Sequence, residues 1–221
     1  MWERLRPWIF PVSCLGCGVR DSAFCAACGP GPHDRITGAL ANVTVTAAGT
    51  YDGLLRSAIV AMKSGERAYL DPFAALFAEL IGPDVPLVPL PTSRGRCAMR
   101  GFDQAVELAR RAAIRRGCAV HAVLAKRGAA QRGLGRAARL QAGGRFRLIP
   151  GADIPDVAIV VDDVWTTGAT LGDGIATLRA AGVAVVGAVV LARTPAGRNS
   201  RRRAEVVALG QPPTCEEQTP T

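Results

Sequence analysis

The sequence predicts an α/β chain, a parallel sheet flanked by helices, preceded by a small four-cysteine module. Three observations carry that expectation. Strand-like apolar runs alternate with helix-period segments, the pattern of parallel sheets covered on both faces. The run Val157–Val161 is apolar throughout, as a strand buried on both faces would be. Four cysteines stand as Cys14-x2-Cys17-x7-Cys25-x2-Cys28, ahead of any such element.

The elements follow in chain order. Paired Cys-x2-Cys spacing lets each pair chelate one tetrahedral ion through thiolates, and Gly16, Gly18 and Gly29 permit tight turns around them. Residues 1–32 therefore read as a separate zinc-binding knuckle, with Cys14, Cys17, Cys25 and Cys28 holding a structural Zn²⁺. His33 reads as a surface residue, and Cys97, Cys118 and Cys215 as plain thiols. Asn42–Tyr51 alternates Val43, Val45 and Ala47 with threonines, a period of two that predicts a strand. Leu55, Ile59 and Met62 share one helical face between Gly53 and Lys63. Asp71-Pro72 has the form of an N-cap and first helical residue, with Gly82 closing that helix. Pro86 and Pro89 argue against a central strand over Val85–Leu90. Asp103 can cap a helix that turns Ala105, Ala109, Ala112 and Ala113 inward and ends at Gly117. Ala119–Ala125 is the next expected strand, and residues 126–145, rich in Gly and Arg, read as a long mobile loop. After Val157–Val161 and the acids Asp162-Asp163, Leu171, Ile175 and Leu178 mark a helix stopped by Gly182, and Val183–Ala192 a last strand. Residues 33–196 thus form the main domain. Residues 197–221, Arg-rich and then Pro- and Glu-rich, read as a disordered tail.

Composition narrows the function classes. Apolar residues make up 49% of 221, enough for a buried core. No apolar run is long enough to span a membrane, and Met1–Phe10 lacks the apolar stretch of a signal peptide, so the expected location is the cytoplasm, without integral membrane association. Seven cysteines then point to reduced thiols or metal rather than disulfides. With only His33 and His121, the chain has little material for a histidine-dependent triad. The net charge is +9, but residues 94–147 hold fourteen Arg or Lys against Asp103 and Glu107 alone, a local balance of +12. Such clustering suggests a polyanionic ligand, single-stranded DNA among the candidates, contacted through Arg110, Arg111, Arg115 and Arg116.

The segment Asp162-Asp-Val-Trp-Thr-Thr-Gly-Ala-Thr170 carries the most chemistry. A buried strand would deliver two carboxylates to its carboxyl end, where ligands bind in open α/β sheets and vicinal ribose hydroxyls can donate to them. Thr166, Thr167, Gly168, Ala169 and Thr170 then turn into a helix N-terminus, whose free N–H groups and dipole favour a phosphate. Neither a Walker loop nor a dinucleotide fingerprint is present.

That segment resembles the motif by which type I phosphoribosyltransferases bind phosphoribosyl pyrophosphate (PRPP). Val88-Pro-Leu-Pro-Thr-Ser-Arg94, Arg100-Gly-Phe-Asp-Gln104, Gln131-x-x-Leu134, Ala61-Met-Lys63-x-Gly65 and most of Val160–Arg193 are similar to the ComF family, as is the four-cysteine module. The chain departs from that family at Asp103, where Asn is usual, and after Arg139, where the usual Asn is missing. The resemblance implies a type I phosphoribosyltransferase-like fold binding PRPP, or another ribose 5-phosphate, together with Mg²⁺. It implies transfer to an unnamed acceptor with pyrophosphate release, and a link to DNA uptake in natural transformation. By the same resemblance Asp162 and Asp163 hold the ribose hydroxyls and Thr166–Thr170 the 5′-phosphate. Lys63 joins them, Arg94 and Arg96 stand near the pyrophosphate with Arg100, Lys126 and Arg127 behind them, and Asn42–Tyr51 is expected to supply a hood over an acceptor base. A non-catalytic single-stranded-DNA-binding factor, using the ribose-phosphate site as a sensor, is the alternative. The sequence leaves the oligomeric state open.

Overall fold

The computed structural model describes residues 13–20, 24–25, 27–82, 84–127 and 144–195. The motif Gln131-x-x-Leu134, most of the expected mobile loop, the first ten residues and the expected tail lie outside them.

A five-stranded sheet forms the centre. Strand β1 (Ile36–Leu40) pairs antiparallel with β2 (Val43–Thr50), and β2 continues in parallel to β7 (Ala184–Arg193), β6 (Val157–Trp165) and β3 (Leu87–Pro89). The turn between β1 and β2 places Ala41 and Asn42 at φ 51 and 56, the double left-handed geometry of a two-residue hairpin. Strand β1 is absent from the sequence reading because Ile-Thr-Gly-Ala-Leu alternates only weakly. It leaves β2 inside the sheet, so the residues expected to form a hood are used for strand pairing instead.

Helices cover both faces, as the apolar strand runs require. On one face α1 (Gly53–Lys63), α2 (Leu70–Leu80) and α4 (Gln104–Arg116) bury Ile59, Met62, Phe73, Phe77 and Leu108 against Val161, Val189 and Leu191. On the other, α5 (Ala169–Ala180) buries Leu171, Ile175 and Leu178 against Val160, Val190 and Val45. Phe24 of the cysteine module belongs to the first core, its ring 6.2 Å from that of Phe73.

Several local expectations shift. Helix α2 starts before Asp71, because Glu66 accepts from Ala68 N–H at 3.3 Å and opens a 3-10 turn, Arg67–Tyr69, that runs directly into it. Asp71 pairs instead with Arg111 at 2.8 Å and Arg115 at 3.5 Å. Val88 lies in β3, the edge strand of the sheet, in keeping with the prolines that argue against a central position. Leu87 bonds outward to Ala119 and His121, so the N–H that Pro89 lacks would point to the side where that partner has already ended. The expected strand over Ala119–Ala125 is divided into that single bridge at Val120 and a separate short strand that takes in Leu124 and Ala125. This short strand, β4 (Leu124–Lys126), runs antiparallel to β5 (Phe146–Leu148). Residues 94–100, unassigned in the sequence reading, form the short helix α3 (Arg94–Arg100), closed by Gly101 at φ 76. Asp103 caps α4 through Val106 N–H, as expected.

Candidate functional site

Parallel pairing of β3 with β6 brings their carboxyl ends together, Pro89 opposite Val161. The end of β6 and the chain beyond both strands line a cleft of about 440 Å³. One wall is the segment after β3, contributing Thr92, Arg96, Arg100, Asp103 and Gln104; the other is Asp162, Asp163, Thr166 and Thr170. Lys63, from the last turn of α1, and Lys126, from β4, complete the lining.

Strand β6 runs on through Trp165, so both acids are strand residues and point to different surroundings. Asp163 pairs with Lys63 at 2.9 Å. Asp162 accepts from Asp163 N–H at 2.9 Å. Burial, with Asp163 adding to it, pushes the Asp162 carboxyl up to about 7, although Lys63 and Lys126 pull the other way. Burial likewise lowers the Lys126 ammonium, helped by Arg96 and Arg145 and opposed by Asp162. Asp103 is raised by burial and by Asp163, against N–H donation from Thr92 at 2.7 Å and Val106 at 3.4 Å. Three carboxylates and four cations thus share one cleft.

The threonine loop is anchored from below. Trp165 is buried with the Arg193 guanidinium 4.0 Å over its ring, and Thr194 N–H donates to Trp165 O at 2.9 Å. Gly168 is the N-cap of α5 at φ 78, in the left-handed region that favours glycine. A Cβ there would stand 3.0 Å from Leu40 and from Trp165 Nε1. Thr166 and Thr170 face the cleft. Thr167 does not line it, and its hydroxyl accepts from Ala169 N–H at 3.4 Å.

The structure brings together most of the expected residues and separates others. Arg96 lines the cleft, whereas Arg94 is exposed outside it. Arg100 and Lys126, given lesser weight from sequence, are in the lining, while Arg127 reaches Phe146 O at 3.2 Å. Asp103 and Gln104 were legible only as a helix cap and as part of a motif. What brings them to the cleft is the path of the chain beyond β3, through α3 and Gly101 to the start of α4.

The basic segment is less open than its count suggests. Arg111 pairs with Asp71 and Glu107, Arg115 with Asp71, and Arg110 with Glu107 at 3.4 Å. Three of the four arginines expected to hold DNA therefore have acidic partners.

At the N-terminal end, the Sγ atoms of Cys14, Cys17, Cys25 and Cys28 lie within 4.8 Å of one another, with Cys17 and Cys25 3.6 Å apart. Thiolates on a tetrahedral zinc with ~2.3 Å bonds stand ~3.8 Å apart, so the cluster fits one ion. Burial opposes ionisation of Cys14, but N–H groups of Cys25, Cys17 and Gly16 donate to its sulfur and bring it down to about 6. Burial and the other three sulfurs push Cys28 up. No helix among the described residues is long and apolar enough to cross a membrane.

No family model matches the chain, and no curated protein matches it. Among solved structures it is similar to an orotate phosphoribosyltransferase from Aeropyrum pernix, at 20% identity over 63% of this chain and 59% of that one, with a TM-score of 0.33. A hypoxanthine phosphoribosyltransferase from Staphylococcus aureus matches at 15% identity over 62% of this chain and 69% of that one, TM-score 0.35. A hypoxanthine-guanine phosphoribosyltransferase from Bacillus anthracis matches at 16% identity over 65% and 76%, TM-score 0.35. The chain thus spans less than two thirds of the Aeropyrum protein's length.

Proposed function

We propose that this chain is a PRPP-binding, phosphoribosyltransferase-like protein of the ComF family, acting in the cytoplasm and tied to DNA uptake. The observation that carries the reading is the cleft itself: Asp162 and Asp163 at the carboxyl end of β6, beside the N-terminus of α5 and across from Arg96 and Arg100.

In this reading the vicinal ribose hydroxyls donate to Asp162 and Asp163. The 5′-phosphate lies against Thr166, Thr170 and the first free N–H groups of α5. The diphosphate extends toward Arg96, Arg100 and the two lysines. The acceptor's lone pair forms a bond to ribose C1′ as the C1′–O bond breaks, and pyrophosphate leaves with that electron pair. Positive charge grows on the sugar and negative charge on the leaving group, so cations already fixed along the second wall stabilise the transition state with little reorganisation. Two adjacent carboxylates are a suitable donor set for a hard cation, and Mg²⁺ bound with the diphosphate would neutralise part of its charge.

The four cysteines hold a structural Zn²⁺ in the same proposal, since protein fills all four positions. The domain division at residues 32 and 196 belongs to it as well. Exchange of both acids, Asp162→Asn with Asp163→Asn, tests the ribose contact. Hydrogen bonds to charged acceptors contribute ~1.5–3 kcal/mol each, so affinity for ribose 5-phosphate should drop at least tenfold, by about that energy. Unchanged affinity would mean the two acids do not face the sugar.

A further inference from the structure

Gln104 is the first residue of α4 and is 2% exposed. Its side-chain nitrogen Nε2 has no hydrogen-bond partner, although the residue lines the cleft. The other buried side-chain nitrogen without a hydrogen bond among the described residues is Arg111 Nε. That atom lies 3.9 Å from Glu107 in the ion-pair network, and Arg111 does not line the cleft.

A buried amide without an acceptor loses the hydrogen bonds it makes to water in the unfolded chain. A long side chain such as glutamine also loses rotamer freedom when buried. An apolar residue of the same size would avoid the first of these losses. The amide at position 104 is therefore suited to an acceptor that arrives with a ligand.

Its place in the cleft indicates which part of the ligand that is. Gln104 belongs to the same stretch of chain after β3 as Arg96 and Arg100, whereas the acids and threonines of the ribose-phosphate reading come from β6 and the start of α5. Asp103, the neighbouring carboxylate, directs its oxygens to the backbone N–H groups of Thr92 and Val106 within that same stretch. We infer that Gln104 Nε2 donates a hydrogen bond to a diphosphate oxygen of the bound ligand, an uncharged contact beside the two arginines. This rests on the phosphoribosyl reading above.

Separate titrations with inorganic pyrophosphate and with ribose 5-phosphate, each with Mg²⁺, test it. Gln104→Met keeps the volume and removes the donor, and Gln104→Glu keeps the shape and adds a repelling charge. Gln104→Met should weaken pyrophosphate binding about tenfold or more and leave ribose 5-phosphate within about twofold of wild type. Gln104→Glu should weaken pyrophosphate further, with thermal melts showing both variants folded. Pyrophosphate affinity unchanged in Gln104→Met, or an equal loss for ribose 5-phosphate, overturns the assignment while the phosphoribosyl reading stands. A wild type that binds neither ligand defeats that reading, and this inference with it.

Discussion

At Asp162, burial and the adjacent Asp163 hold the carboxyl near 7, while the two lysines favour its ionised form. A carboxyl raised above its ordinary range binds its proton more tightly in the fold than in the unfolded chain. Its contribution to stability is therefore full below the ordinary carboxylate range and is lost as pH rises through about 7. Urea melts should show wild type losing stability relative to Asp162→Asn between the ordinary value of 3.8 and about 7. Ligand affinity should change in the opposite sense. An ionised carboxylate accepts from ribose hydroxyls more strongly than a protonated carboxyl, so ribose 5-phosphate should bind more tightly as pH rises through that range. Asp162→Asn should retain only the part that comes from the phosphate's own titration near ~6. Gly168 gives a second test at this scale. A side chain at φ 78 costs ~1–3 kcal/mol, and here its Cβ would also press on Leu40 and Trp165. Gly168→Ala should lower stability by at least that much and weaken phosphate binding, both measurable in one ligand-dependent melt.

Among the elements, α5 is seated by a missing side chain. A Cβ at Gly174 would overlap the Leu90 methyl groups just beyond β3. Gly174→Ala, which helix propensity alone would favour by ~1 kcal/mol, should instead destabilise by ~1–3 kcal/mol, read from the midpoint of a urea melt. The cysteine module is coupled to its neighbours through Phe24 on Phe73. Replacing Cys25 and Cys28 with Ser should release one metal ion per chain, measured by elemental analysis, and lower the melting of the main core as well as of the knuckle. The elements that sequence made legible are those with strong local patterns: Leu55, Ile59 and Met62 on α1, the Asp103 cap, the apolar run of β6. The misreadings had tertiary causes. Strand β1 escapes the sequence reading because the Ala41-Asn42 hairpin, and not its own weak alternation, pairs it with β2, and α2 begins early because Glu66 nucleates a turn ahead of it. Neither is visible from periodicity.

For the whole molecule, charge was the most legible property and the most easily over-read. The +12 of residues 94–147 is real in sequence, yet Asp71 and Glu107 partner Arg110, Arg111 and Arg115. Exposed pairs of this kind contribute ~0–1 kcal/mol each, so Asp71→Asn should cost little stability. What the fold concentrates instead is four cations around three acids in one cleft, drawn from α1, the segment after β3, β4 and β6. Sequence marked the acids and threonines because they are contiguous. It could not rank Arg94 against Arg100, since only the path of α3 decides which of them faces inward. Calorimetric titration of the wild-type chain with PRPP and Mg²⁺, repeated on the paired Asp162→Asn and Asp163→Asn variant, tests the central claim most directly. The account predicts saturable binding of one PRPP per chain that the double exchange weakens at least tenfold. No heat of binding to the wild type, or equal affinity in the variant, would contradict it.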